Sequence, residues 1–195
     1  EASVNKFSSI FGQILRIFSK QDFYHAVRET SAERGSKGFS CWQQFVAMMF
    51  CQLGQAQSLR EICGGLASSL GKLRHLGVKG APNRSTLSYA NEHRPWQLYQ
   101  IIFYQLLCRC QGLTKGKKKF RFKNKLFSLD VTVIPLCASL FDWARYKRTK
   151  GAVKLHLLLD HEGYLPVFAH ITDGKEREFN VARTLSFPKG SILAV

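Results

Sequence analysis

The sequence predicts a protein of mixed α and β class, with an all-α N-terminal region followed by an α/β region. Apolar residues recur at spacings of three and four through the first 112 residues, which is the period of an amphipathic helix. From Leu126 onward they alternate or form short runs, which is typical of strands. A basic stretch at 113–125 separates the two patterns. We therefore expect a helical domain at 1–112, a connector at 113–125 and a second domain at 126–195.

The N-terminal region contains five segments with helical signals. An apolar stripe through residues 5–18 predicts a helix that Asn5 can cap. Ser58 and Glu61 have the spacing of a capping box, in which both side chains satisfy backbone donors at a helix start. Pro95 suits the first position of a helix. The predicted helices are, in order, 5–18, one starting near Ser40, one starting at Ser58, 85–94, and one from Pro95 that ends before Gly112.

The C-terminal region contains strand patterns and one helix. Leu126–Leu136 is apolar enough to predict a buried strand. Val153–Leu159 and Tyr164–Ile171 flank a turn, so they predict a hairpin, and Pro166 favours an edge position because it cannot donate a backbone hydrogen bond. We expect a helix at Lys175–Leu185 and the start of a strand at Ile192–Val195.

The charge balance indicates a polyanionic partner. The chain has 195 residues, with 29 Lys plus Arg against 13 Asp plus Glu, a formal net charge of +16. Eight basic residues and no acid lie between Arg109 and Lys125. Nucleic acid is the first candidate. The alternative is that this stretch is only a solvated basic linker.

Other classes are disfavoured by simple counts. The longest uninterrupted apolar run is Phe45–Cys51, which is far shorter than the roughly 18 residues of a membrane-spanning helix. We expect a cytoplasmic protein with no membrane partner. The six cysteines lack the paired spacing of a zinc site, and we expect Cys41, Cys51 and Cys108 to pack in the core.

Asp130 is an acid within the apolar strand Leu126–Leu136. If that strand is buried, the carboxylate must be hydrogen-bonded, protonated or paired with a cation, because burying an unpaired charge costs several kcal/mol. These three causes stay open from the sequence. Thr132 lies two residues further and should point to the same face of the strand. It is either a partner of Asp130 or a residue chosen for strand propensity.

Two sets of side chains are candidates for contact with DNA. The first belongs to the predicted helix at 85–94, whose polar tips suit a groove or phosphates. The second belongs to the basic connector and to the strand region that follows it. The candidates are Arg84, Ser85, Ser88, Asn91 and Arg94 in the first set, and Lys117, Lys118, Lys119, Arg121, Lys123, Lys125 and Lys150 in the second.

Several passages together resemble one family. They are Ser85–Arg94, Leu129-Asp-Val-Thr132, Lys150–His156 with Leu159-Asp160, and Thr172-Asp-Gly-Lys175. In this order, behind a helical domain, they resemble bacterial insertion-sequence transposases of the DDE type, in the IS-four group. The resemblance implies that the second domain is the first part of a ribonuclease-H-like core. It also implies that Asp130 is the first of three metal-binding carboxylates. Thr132, on the same strand face, is then a candidate to hold the metal or its water.

The resemblance carries further expectations about activity. The family's second Asp would follow Val195 directly and its Glu would come later, so we expect this chain to be inactive alone and not to hold Mg²⁺ or Mn²⁺ stably. The full enzyme would bind the terminal repeats of its element and target DNA, and would cleave and join strands with Mg²⁺ or Mn²⁺. It would be nucleoid-associated when bound to DNA, and a homodimer is the oligomeric state to test. The alternative is a non-catalytic DNA-binding protein or transposition inhibitor derived from a truncated transposase.

Overall fold

The computed structural model describes residues 9–69, 72–114, 124–136, 145–147 and 150–195. The chain divides into two compact units, Glu1–Tyr104 and Gln105–Val195. The division falls inside the last helix of the helical region, Gln97–Thr114, and the boundary predicted from the sequence at residue 112 also falls inside this helix. None of the described helices is both long enough and apolar enough to cross a membrane.

The described part of the first unit is built from helices. Each predicted helix has a counterpart, and one α-helix and one short 3₁₀ helix are present that the sequence analysis did not predict. In chain order the elements are α1 (Ile10–Leu15), α2 (Lys20–Glu29), α3 (Cys41–Leu53), α4 (Leu59–Ala67), a 3₁₀ helix (Arg74–Leu76), α5 (Arg84–His93) and α6 (Gln97–Thr114).

Serine residues cap the first four α-helices. Ser40 begins α3 with a full capping box. The Ser40 hydroxyl accepts from the backbone N–H of Gln43, and the Gln43 side chain accepts from the backbone N–H of Ser40. Ser58 begins α4 and accepts from the Glu61 N–H at 3.2 Å. The helix starts predicted near Ser40 and at Ser58 are therefore confirmed. The predicted cap Asn5 lies outside the described residues, and Ser9 caps α1 instead.

Three expectations for the helical region were wrong. Helix α2 was missed because its buried side chains, Phe23, Ala26 and Val27, form a short stripe within a largely polar segment. Helix α6 begins at Gln97 and continues through Gly112 to Thr114, beyond the end predicted for it. Cys108, expected in the core, is exposed, whereas Cys41 is buried as expected.

The core of the first unit is centred on aromatic rings. Phe23 lies edge-on to Trp42 with ring centroids 5.1 Å apart, and both rings contact Phe45. The indole N–H of Trp42 donates to the carbonyl of Leu76 at 2.7 Å, so this buried donor is satisfied. This bond joins α3 to the 3₁₀ helix, 34 positions further along the sequence.

The second unit contains a five-stranded mixed sheet in its described part. Strand β1 is central, with β3 antiparallel on one side and β5 parallel on the other. Strand β4 pairs with β3, and β2 pairs with the start of β3. The strands are β1 (Leu126–Leu136), β2 (Arg145–Lys147), β3 (Lys150–Asp160), β4 (Leu165–Asp173) and β5 (Ile192–Ala194), with helix α7 (Glu178–Thr184) between β4 and β5.

The predicted hairpin is confirmed as β3 and β4, and Pro166 sits beside a bulge on β4. Helix α7 is shorter than the predicted Lys175–Leu185. Asp173 explains the difference, because its carboxylate accepts from the N–H groups of Lys175 and Glu176 at 2.9 and 3.0 Å and holds them in a turn.

Candidate functional site

Strand β1 places Asp130 near the middle of the sheet. Asp130 pairs with Leu157 of β3. The pairing of β1 with β5 ends two residues before Asp130, at Ser128, which lies opposite Ala194. Successive side chains of a strand point to opposite faces, so Ser128, Asp130 and Thr132 share one face and the residues between them share the other. Asp130 therefore has a paired neighbour on the β3 side, and it lies two residues beyond the last described pair of β1 with β5.

The two faces of this sheet differ in burial. On one, which we call the covered face, Phe127, Leu129 and Leu158 are buried and pack with Ala182 and Leu185 around helix α7. On the other, which we call the open face, Asp130 and Thr132 are exposed, together with Ile171 at 60% and Ile192 at 45%. Directly opposite residues of paired strands share a face, which assigns Leu157 and Ala169 to the open face beside Asp130.

The expectation that β1 is buried was therefore wrong for one of its two faces. Asp130 needs none of the three causes considered for a buried acid, because its carboxylate is exposed to water. Among the described residues no hydrogen bond or ion pair holds this carboxylate. The apolar neighbours of Asp130 in the sequence, Leu129 and Val131, point to the covered side and conceal its exposure.

A row of polar side chains follows the open face along β1. Thr132, Asp130 and Ser128 occupy alternate positions, and the row continues to His161, which follows β3. The Ser128 hydroxyl lies 2.9 Å from the ring atom Nε2 of His161. The backbone N–H of His161 donates to the backbone carbonyl of Leu126 at 3.1 Å. The sequence analysis missed Ser128 and His161, since they come together only through the register of β1 and β3.

Lys125 directly precedes β1 and has acidic partners. Its ammonium lies 3.9 Å from Asp160, the last residue of β3, and 3.5 Å from Glu162 in the turn that follows. These contacts partly neutralise a side chain that was predicted to contact DNA. The predicted contacts Lys117, Lys118, Lys119, Arg121 and Lys123 lie outside the described residues, as does the side chain of Lys150.

The donor set of the open face suits a hard divalent cation only in part. Asp130 and Thr132 offer a carboxylate and a hydroxyl, which are oxygen ligands of the kind that Mg²⁺ and Mn²⁺ prefer. No group of three or more His, Cys, Asp or Glu side chains able to hold a metal ion occurs in the portion of the chain that the structure describes. These residues therefore fit one part of a metal site.

Helix α5 presents some of its predicted DNA contacts to solvent and uses others internally. Arg84, Ser85 and Ser88 are exposed. The side-chain oxygen Oδ1 of Asn91 accepts from the side-chain Nε2 of Gln44 at 2.7 Å. The Arg94 guanidinium donates to the Gln44 side chain at 2.9 Å and also to Ser36 and to the carbonyls of Phe39 and Ser40. Arg94 thereby fixes the loop before α3, a structural task that the sequence did not reveal.

His156 is a buried polar residue on the covered face. Its side chain is fully buried, its Nε2 lies 2.8 Å from the Thr172 hydroxyl, and its Nδ1 has no hydrogen-bond partner among the described residues. Burial lowers the pKa of His156 below its usual value, and the neighbouring His170 and Lys154 add to this effect. The imidazole is thus held neutral inside the sheet.

Comparison with known proteins gives one match. Residues 6–79 match the model of a family described as a domain of unknown function, DUF4372. This domain family is commonly found in transposase-like proteins. No curated protein and no solved structure matches the chain. The match covers the segment from α1 to the 3₁₀ helix and ends before α5, so it lies within the first unit.

Proposed function

We propose that this chain is part of a DNA transposase of the DDE type, with a helical DNA-binding unit and the first part of a ribonuclease-H-like catalytic core. Asp130 is the metal-binding acid of that core and Thr132 assists it. The observation that carries the proposal is the exposure of the Asp130 carboxylate on the open face of the central strand. An acid placed there can reach a metal ion and a DNA phosphate, which a buried acid could not.

Two further observations support the assignment. The strand order runs β4, β3, β1, β5, with the first three antiparallel and β5 joined parallel to β1 after a helix. Such a mixed sheet is compatible with the core that the sequence motifs imply. In addition, the domain family matched by residues 6–79 is commonly found in transposase-like proteins.

The chemistry assigned to this face is in-line displacement at phosphorus. When bound, two divalent ions activate the attacking oxygen and stabilise the leaving oxygen. The task of the chain's own residues is to hold and orient: Asp130 provides a carboxylate, Thr132 a hydroxyl, and the Ser128–His161 pair extends the polar row at one end. One carboxylate does not fix two ions, so we expect weak metal binding by this chain.

The test is a titration of the isotope-labelled 195-residue chain with Mn²⁺, followed by nuclear magnetic resonance. A paramagnetic ion broadens the signals of nearby amides even when it binds weakly. We expect selective broadening around Asp130, on β1 and on β3 near Leu157, and its loss in Asp130→Asn. Asp22→Asn is the matched control, because Asp22 is an exposed acid of the helical unit. Broadening that persists in Asp130→Asn, or that centres on Asp160 and Glu162, would contradict the proposal.

A second function is favoured by the net charge of +16. A DNA-binding protein without catalysis, able to occupy the ends of an element, needs the same basic surface and no metal. A nicking assay on a plasmid that carries the element's terminal repeats separates the two, if it is run on the chain alone and on a chain extended by the residues that the gene encodes next. Metal-dependent nicking by the extended chain alone supports the enzyme, and binding without nicking by both supports the binder.

A further inference from the structure

We propose that a basic cavity in the helical unit, formed by Arg16, Lys20 and His75 around Trp42, binds the phosphate backbone of double-stranded DNA. This site rests on the DNA-binding part of the proposed function and is independent of the metal chemistry at Asp130. Its residues belong to neither of the two sets of DNA contacts that the sequence predicted.

The cavity is lined by three segments of the sequence, one with Arg16 and Lys20, one with Trp42 and one with His75. Arg16 ends helix α1, Lys20 begins α2, and His75 belongs to the 3₁₀ helix. The hydrogen bond from Trp42 to the Leu76 carbonyl holds the 3₁₀ helix against α3. Lys20 lies over the indole ring of Trp42, with its ammonium 5.1 Å from the ring centroid, and Ser9 at the start of α1 lies 3.4 Å from His75 Nε2. Side chains some sixty positions apart thus share one wall.

The cavity is large enough for an anion with its water. Its volume is about 230 Å³, whereas a single water needs only about 10–15 Å³ of such space. The cationic side chains of Arg16 and Lys20 and the imidazole of His75 line it. Among the described residues no acid lines it. Gly77 follows the lining residue Leu76 and has a left-handed backbone (φ 77°), and a Cβ there would lie 2.8 Å from the Lys20 ammonium. Glycine at this position therefore leaves room for the ammonium.

The charge around the cavity is of one sign over a wide area. The sequence has no acid between Glu1 and Asp22 or between Glu61 and Glu92, and these two segments are the ones that meet here. Further exposed cations from the second segment extend the surface beyond the cavity, and among the described residues none of these cations forms an ion pair. They are Lys72, Arg74 and Lys79. Unpaired cations of this density attract phosphates and release counterions when they bind them.

The aromatic residue in the wall decides which nucleic acid fits. Sites for single strands stack bases on exposed rings. Trp42 is only 2% exposed and its N–H is already used by Leu76, so it offers no platform to a base. The remaining groups are point charges that recognise phosphates and carry no sequence information. The chemistry therefore matches the backbone of a duplex, whose base sequence must be read elsewhere.

The experiment measures binding of a short DNA duplex by fluorescence anisotropy over a range of salt concentrations, using the full 195-residue chain. In the double variant Arg16→Gln, Lys20→Gln we expect weaker binding and a salt slope smaller by about 2, since each phosphate contact contributes about 1. Arg28→Gln, Arg60→Gln is the matched control, because it removes the same charge from exposed positions of the same unit that do not line the cavity. We expect the control to keep the slope of the parent chain.

Arg16→Gln alone guards against loss of fold, because Lys20 packs on Trp42 whereas the Arg16 side chain is exposed. It should lower the slope by about 1 with an unchanged melting temperature. Equal slopes for the cavity variant and the control would overturn the proposal. So would a cavity variant that loses binding to single-stranded DNA, or to vesicles of an anionic phospholipid, but keeps its affinity for the duplex. Metal binding at Asp130 does not enter this readout, so the two proposals can fail separately.

Discussion

The two faces of the sheet come from the same strands yet have different tasks. The covered face packs Phe127, Leu129 and Leu158 under helix α7, and His156, a fully buried polar side chain on this face, is held neutral. The open face carries exposed apolar side chains around a carboxylate that has no ion pair or hydrogen bond among the described residues. Folding alone favours the first arrangement, because apolar burial stabilises by about 25 cal/mol per Å². The second arrangement leaves apolar side chains such as Ile171 and Ile192 in contact with water.

The comparison also separates two kinds of polar residue. His156 and Arg94 are polar groups whose hydrogen bonds stay within the protein, and replacing them should disturb structure. Asp130, Thr132 and the cations of the basic cavity point to solvent, and replacing them should disturb binding. The largest effects on stability are therefore expected on the covered face and the smallest on the open face.

The largest effect is expected for Leu129→Ala. Leu129 is 5% exposed in the core of the second unit, and removing a buried Leu side chain costs about 2–5 kcal/mol, through lost burial and the cavity left behind. Amide hydrogen exchange of β1 and β3 measures the loss in free energy of unfolding. Ile171→Ala is the control from the open face, where the side chain is 60% exposed, and should cost less than about 1 kcal/mol. Similar costs at the two positions would show that the open face is also packed.

A smaller, pH-dependent effect is expected from His156. Its pKa in the fold is lowered from the usual 6.5 by burial and by the nearby His170 and Lys154, with Glu176 and Glu178 opposing them weakly. Below pH 6.5 the unfolded chain takes up a proton that the folded chain does not, so stability falls with falling pH. It continues to fall until the folded pKa is reached, at no more than about 1.4 kcal/mol per pH unit.

The check on His156 is the exchange of β3 amides against pH in the parent chain and in two variants. His156→Gln keeps a donor for Thr172 and should flatten the profile between neutral and mildly acidic pH. His170→Gln, on the exposed neighbour directly opposite in β4, should leave most of the dependence in place. If both variants flatten it equally, or neither does, the buried imidazole is not its source.

The sequence predicted what depends on local periodicity and caps. Short stretches of sequence were enough to predict several elements. They are the helix starts at Ser40 and Ser58, the β3–β4 hairpin and the strand around Asp130. The exposure of Asp130 was not predicted, since whether a strand is covered on one face or two depends on elements distant in the chain. Helix α2 was missed for a related reason, because its short apolar stripe is stabilised by packing against Trp42 and Phe45.

The candidate sites show the same division. Alternation along β1 was enough to place Asp130 and Thr132 on one face. It could not reveal His161 beside Ser128, which requires the register of β1 with β3. Nor could it reveal the basic cavity, whose side chains come from segments separated by more than fifty residues. Counting charges along the chain pointed to the connector at 113–125, whereas the fold concentrates unpaired charge on the helical unit as well.

The smallest effect on stability is expected for Thr132→Val, and this variant sharpens the comparison most. Valine has nearly the shape of threonine and an equal preference for strands, so the free energy of unfolding should change by less than about 0.5 kcal/mol. Its missing hydroxyl should weaken the Mn²⁺ broadening around Asp130, whereas Thr132→Ser should preserve it. If Thr132→Val instead leaves the broadening unchanged, threonine stands at this position for its strand propensity, and Asp130 is the sole ligand on the described part of the open face.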